Sequence, residues 1–225
     1  MRSKFAIVAL AALLLVAGSA WAEGPTARQI IDKVQARYAK TKDIKARFEQ
    51  ATVLPGGRRL EAAGQAYFKK PNMIRWDFTR PEAESIITNG QTMWIYEPAA
   101  HQVQVYSAGL LDPRLQMGFF SDLRRLEDDF DISAGKPTAC CWVLDLAPKP
   151  GRGVDLRHLT LLVARDTLRV VQATSADMAG NDTTVRFVDM KENTGLKDSL
   201  FNFTPPPGTQ VIQPAGAGVG SADRQ

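Results

Sequence analysis

From residue 44 onward the apolar side chains recur at every second position in short runs, and turn-forming residues separate those runs at nearly even intervals. The first run sets Ile44, Ala46 and Phe48 on one side of an extended chain and Lys45, Arg47 and Glu49 on the other. After Pro55-Gly56-Gly57, further runs fall at 64–68, 73–78, 85–88, 92–96 and 102–106, divided by Arg80-Pro81, Asn89-Gly90 and Glu97-Pro98-Ala99-Ala100. A second series occupies 130–133, 141–146, 159–164, 168–174 and 183–190. Asn-Gly between two apolar runs is a hairpin signal, and no helix is placed to make a parallel crossover. About eleven strands joined this way predict a mainly β fold, a single antiparallel sheet curled into a half-open barrel.

Two stretches break the period of two. Thr26 is placed to cap a helix in which Ile30, Ile31, Val34 and Tyr38 recur at helical spacing. Between the two strand series, Asp112 and Pro113 suit an N-cap and a first helical residue. A helix over 113–120 lines up Leu111, Leu115 and Phe119, with Met117 and Phe120 beside them. An amphipathic helix set into a meander is a natural lid or plug over an apolar space. Residues 212–225 are Gly/Ala-rich and too poor in large apolar groups to pack, so a flexible tail is expected.

The N-terminus carries Arg2 and Lys4, an apolar stretch over 5–16, and Ala20-Trp21-Ala22, the pattern of a secretory signal peptide cleaved after Ala22. No later apolar run reaches the length of a membrane-spanning helix, and no cysteine follows the cut to accept a lipid. An exported, untethered domain over 23–211 is expected. The formal charge of +4 falls by two once Arg2 and Lys4 are gone, and the remaining basic residues are scattered. Nucleic-acid binding therefore has no support.

Catalytic signatures are absent: the chain has two histidines, His101 and His158, and no HExxH, GxSxG or CxxC. His158 near Asp155 reads as a solvated pair in preference to half of a dyad. Cys140 and Cys141 are adjacent, and neighbouring strand residues point to opposite faces, so two small residues at a strand start are preferred over a redox pair. An intermolecular bridge is the remaining alternative in an oxidising compartment. No metal or cofactor is expected.

The candidate site is an apolar wall. Ile74, Trp76 and Phe78 share one face of a strand, and Phe68, Met93 and Ile95 supply neighbours. A packed core is the plain reading for any one strand. A half-open barrel with an apolar helix set across it also suits an acyl-chain cavity, with Met117 adapting to irregular shapes. Over 92–96 both faces are apolar, Met93 and Ile95 alternating with Trp94 and Tyr96, and the pattern leaves open which pair looks inward.

The run Gly64-Gln65-Ala66-Tyr67-Phe68-Lys69-Lys70-Pro71-Asn72, then Arg75-Trp76, then Thr88-Asn89-Gly90-Gln91-Thr92-Met93-Trp94-Ile95-Tyr96-Glu97-Pro98, and Phe201-Asn202-Phe203-Thr204-Pro205-Pro206-Pro207-Gly208 resemble, in order and spacing, the periplasmic outer-membrane lipoprotein carrier family, LolA. The resemblance implies an open antiparallel barrel covered by helices, which carries the acyl chains of lipoproteins through the periplasm. It implies acylated lipoproteins as cargo, an inner-membrane ABC-type releasing complex that loads the carrier, and an outer-membrane lipoprotein receptor that unloads it. A monomer is expected.

The family's basic residue ahead of Pro-Asn, usually arginine, falls on Lys70, where the resemblance implies a hydrogen bond to the lid that keeps the empty cavity shut. Lysine offers a point charge in place of a planar fork, so a looser latch is expected. Ile74 stands where the family places an aromatic important for loading and unloading. A lipid-binding sensor or glycolipid-export adaptor on the same fold is the alternative function, and a secreted hydrolase using His158 or His101 the remote one.

Overall fold

The computed structural model describes residues 24–107 and 126–213. Leu111, Leu115, Met117 and Phe119 of the expected lid, the signal peptide and most of the expected tail lie outside the described residues. Helix α1 (Ala27–Ala39) begins as its sequence dictates. The Thr26 hydroxyl accepts from the Gln29 backbone N–H at 3.2 Å, and the Gln29 side chain accepts from the Thr26 N–H at 3.0 Å, a closed capping box. Ile30, Ile31, Val34 and Tyr38 form its buried stripe.

Twelve strands follow: β1 (Asp43–Val53), β2 (Arg59–Lys69), β3 (Met73–Arg80), β4 (Glu84–Thr88), β5 (Thr92–Glu97), β6 (Gln102–Ser107), β7 (Phe130–Ala134), β8 (Cys141–Pro148), β9 (Leu156–Ala164), β10 (Val170–Asp177), β11 (Asp182–Glu192) and β12 (Gln210–Ile212). A short helical turn, α2 (Leu126–Asp129), leads into β7. All twelve strands belong to one sheet, in the order β12-β6-β5-β4-β3-β2-β1-β11-β10-β9-β8-β7. Among the described residues β7 and β12 are its ends and do not pair with each other, so the sheet is not closed. The half-open antiparallel architecture stands, with two amendments: the described residues form twelve strands, and the additional one, β12, runs parallel to β6. β12 is three residues long and follows a proline-rich stretch, so it carries no alternation to read.

The inner face is built by alternation. Ile44, Ala46 and Phe48 are buried on β1 while Lys45, Arg47 and Glu49 are exposed. The same core takes in Leu144 and Leu146 of β8, Leu159, Leu161 and Val163 of β9, Ala173 of β10, and Val185 and Phe187 of the neighbouring β11. The stripe of α1 lies in the same core.

A second apolar layer covers the outside of β4–β6. Ile87, Val103 and Phe201 are wholly buried yet stand apart from the inner core. The chain after β11 is drawn over this face: Arg75 donates to the Leu200 carbonyl at 3.1 Å, Asn89 to the Asn202 side chain at 3.1 Å, and the rings of Tyr96 and Phe203 lie 4.9 Å apart. This resolves the doubly apolar β5. Met93 and Ile95 face the interior, and Trp94 and Tyr96 face the covering segment.

Asp43 anchors that segment where it leaves β11. Its carboxylate accepts from Thr194 N–H and hydroxyl at 2.7 and 2.8 Å and from Gly195 N–H at 3.0 Å. Burial alone would raise its pKa, but these bonds and one from Leu196 hold it below the usual carboxylate value.

The cysteines differ from expectation: Cys140 and Cys141 are joined as a vicinal disulfide. β8 starts only at Cys141, and Cys140 sits in the bend before it, so the opposite-face rule for a continuous strand does not apply to the pair.

Candidate functional site

All six expected wall residues project to the interior. Register pairs Phe68 with Ile74 and Ala66 with Trp76 across β2 and β3, then Trp76 with Ile86 and Ile86 with Ile95 across β3, β4 and β5. Side chains directly opposite share a face, so Phe68, Ile74, Trp76, Met93 and Ile95 form one buried surface. Phe78, farther along β3, is only partly buried and packs at its margin.

Trp76 is the centre of an aromatic cluster. Its ring centroid lies 4.6 Å from Phe48, 5.7 Å from Phe68, 6.0 Å from Phe187 and 6.4 Å from Phe78. Phe48 meets both Trp76 and Phe78 edge to face, an arrangement favoured by the ring quadrupoles. It reaches that position because β2 carries Gly64 beneath it. A Cβ there would lie 1.9 Å from the Asp77 carbonyl oxygen and 2.9 Å from the Phe48 ring. The β2/β3 register also shifts between Ala63 and Gly64, bending the sheet at this point.

Among the described residues, the space the sheet encloses is occupied by Ile30, Ile31, Val34 and Tyr38 of α1. The helix is the plug. Polar ties hold it at the rim. Arg37 pairs with Glu192 of β11 at 2.6 Å, and the same carboxylate takes Arg169 at 3.1 Å. Arg28 reaches Glu127 of α2 at 2.7 Å. The Tyr38 hydroxyl accepts from the Val170 N–H at 3.3 Å, and burial pushes its pKa far above the ordinary tyrosine value, so it stays neutral.

Lys70, expected to touch the lid, donates from Nζ to the backbone carbonyl of Tyr38. This contact is with the last turn of α1, where the Tyr38 carbonyl also accepts the Thr41 N–H at 3.1 Å and the negative end of the helix dipole favours a cation. A small depression bordered by Tyr38, Thr41, Lys42, Asp43, Phe68 and Lys70 marks this end of the helix.

The histidines stand elsewhere. His158 is on the outer face of β9, 3.0 Å from the Thr160 hydroxyl and 3.4 Å from Asp145 of β8, so its acidic neighbour comes from the adjoining strand and is not Asp155. His101 ends the Pro98–Ala100 turn with φ of 50°. Among the described residues no cluster of His, Cys, Asp or Glu is arranged to hold a metal ion, and no helix is long and apolar enough to cross a membrane.

Two elements of the site were not read from the sequence: the Tyr38 carbonyl as partner of Lys70, and Glu192 as the shared carboxylate. The apolar stripe of α1 was visible. What it fills, and who fastens it, depends on residues more than thirty positions away.

An aromatic-walled, unclosed sheet stoppered by an amphipathic helix has counterparts of known type. The family model for "Outer membrane lipoprotein carrier protein LolA" matches residues 39–204. The outer-membrane lipoprotein carrier protein of Pseudomonas aeruginosa strain UCBPP-PA14 is 31% identical over 209 residues, covering 91% of this chain and 96% of that protein. The protein of the same name from Dechloromonas aromatica is 28% identical over 184 residues, covering 81% and 86%. A crystal structure of an uncharacterized conserved protein from Thermus thermophilus shares the fold, with a TM-score of 0.56 at 14% identity over 83% of this chain and 98% of that one. With the matched region spanning the helix end, both strand series and the covering segment, this chain belongs to the LolA family of outer-membrane lipoprotein carrier proteins.

Proposed function

We propose that this protein is a periplasmic carrier: it takes the acyl chains of lipoproteins against the wall formed by Phe68, Ile74, Trp76, Met93 and Ile95, and escorts them through water to the outer membrane. The observation that carries the reading is the relation of α1 to that wall. The apolar stripe of an amphipathic helix occupies the interior of a sheet that, among the described residues, is unclosed, and the helix is fastened at its rim by a few polar contacts, so hydrocarbon of similar girth has a place to go when the helix lifts.

Magnitudes favour exchange over a permanently empty cavity. At about 0.8 kcal/mol per buried CH₂, a chain of about a dozen methylenes gains on the order of 10 kcal/mol in an apolar site. A carrier that kept all of this could not let go. Withdrawing the Ile30, Ile31, Val34 and Tyr38 stripe exposes apolar area of comparable kind, which offsets much of the gain and leaves cargo transferable. The helix and the cargo compete for one wall, and the role assigned to the protein needs no covalent chemistry.

Export with cleavage after Ala22, loading by an inner-membrane ABC-type complex and unloading to an outer-membrane lipoprotein receptor complete the proposed cycle. The test is direct. Inner-membrane vesicles carrying a labelled lipoprotein are incubated with ATP and the purified mature protein, and the soluble fraction is assayed for a one-to-one complex. Soluble lipoprotein supports the carrier. Lipoprotein that stays in the membrane, while phospholipid or glycolipid co-purifies, replaces it with a different lipid-binding role.

A further inference from the structure

Trp76 is only 3% exposed, faces the interior, and is ringed by Phe48, Phe68, Phe78 and Phe187. Its indole Nε1 is buried and has no hydrogen-bond acceptor among the described residues. An N–H taken out of water without a partner is unfavourable, and a phenylalanine at this position would keep the ring contacts without that penalty. Among Phe68, Ile74, Trp76, Met93 and Ile95 this indole carries the one N–H donor, on the sheet face that would meet whatever replaces the plug.

We infer that Trp76 is a ligand-recognition residue, its Nε1–H donating to the ester carbonyl at the head of an acyl chain lodged on the wall. The inference rests on the carrier reading and adds to it what apolar area alone does not supply: register. A smooth wall lets a chain slide at little cost. A single donor fixes where the carbonyl stops, and so how deep the methylenes run and how far the peptide head stands outside. Discrimination of this kind is sharpest where the site's own polar group goes unpaired with the wrong ligand.

The experiment compares carbonyl with no carbonyl. The purified mature protein and Trp76→Phe are titrated with a lipopeptide bearing two ester-linked chains and with its ether-linked analogue of equal length. Diacyl phosphatidylglycerol and its dialkyl ether form a second pair. Wild type is expected to favour the ester about fivefold, the ratio one neutral hydrogen bond of about 1 kcal/mol supplies. Trp76→Phe is expected to bind ester and ether equally, with an empty-state melting temperature no lower than wild type.

The pair whose preference collapses in Trp76→Phe identifies the carbonyl's source, lipoprotein or phospholipid. Wild type that binds both members of each pair equally overturns the inference and leaves the carrier reading standing, as does an ester preference that survives in Trp76→Phe. Wild type that binds none of the four removes both. A Trp76→Phe protein that melts lower and loses ester and ether affinity alike assigns the residue to packing alone and also overturns the inference.

Discussion

The Lys70 ammonium donates to the backbone carbonyl of Tyr38, joining the end of β2 to the last turn of the helix that fills the sheet. The bond sits on the rim, on an exposed side chain, while the groups it restrains are among the most buried in the protein. A small polar contact thus ties down a helix packed in a large apolar core.

Replacing Lys70 with alanine should loosen α1 without unfolding the sheet. The contact is charge-assisted but partly solvated, so a loss of about 1 kcal/mol is expected. Hydrogen exchange read residue by residue should show protection of the α1 amides falling about fivefold while β1 and β11 hold theirs. Equal loss in helix and sheet would mean that Lys70 supports the whole fold and not the plug.

Val34→Ala tests the competition between helix and cargo. Removing two buried methyl groups should lower stability by roughly 2 kcal/mol. Because a weaker plug is easier to displace, affinity for acylated ligand should rise, by up to about tenfold. Thermal unfolding and ligand titration must therefore move in opposite directions. If affinity falls along with stability, Val34 belongs to the bound state too, and helix and cargo do not exclude each other.

Asp43 gives acid sensitivity with a definite sign. Its folded carboxyl titrates below the ordinary value of about 4. Its stabilisation is complete above that ordinary value and is lost as pH falls through the lower folded one. Asp43→Asn should cost roughly 2 kcal/mol at neutral pH and flatten the acid limb of the stability curve. Urea midpoints measured from about pH 7 down to about pH 2 check both; a variant whose acid limb parallels wild type would place the sensitivity elsewhere.

Gly64→Ala should be destabilising by roughly 2–3 kcal/mol, since the added methyl meets a backbone carbonyl that cannot rotate away. The near-ultraviolet dichroism of the Phe48, Trp76 and Phe78 group should weaken with it. An unchanged melting temperature would show that β2 shifts freely at its bend.

The inner wall was legible because alternation is local: once Ile74, Trp76 and Phe78 share a face, burial chooses which. The capping box of α1 was half visible, through Thr26, for the same reason. The outer layer was not. Trp94 and Tyr96 looked like rivals of Met93 and Ile95 for the interior, and only Phe201 and Phe203, about a hundred residues on, show that β5 is covered on both sides. Asp43 offered no signal as an anchor, because its partners at 194–196 come together with it only after β1 pairs with β11. His158 found Asp145 and not Asp155 by the same logic, since cross-strand neighbours outcompete chain neighbours wherever a loop intervenes. The vicinal disulfide depended on where β8 starts, and strand ends are the least readable part of a periodic pattern.

That the sheet, among the described residues, ends in β7 on one side and β12 on the other has a mechanical meaning. A continuous hoop of strands can widen only by breaking a full ladder of backbone hydrogen bonds at once. A sheet with two loose margins can splay instead, spreading a small change of twist over eleven intact pairings. Such a wrap changes its curvature while every ladder stays whole.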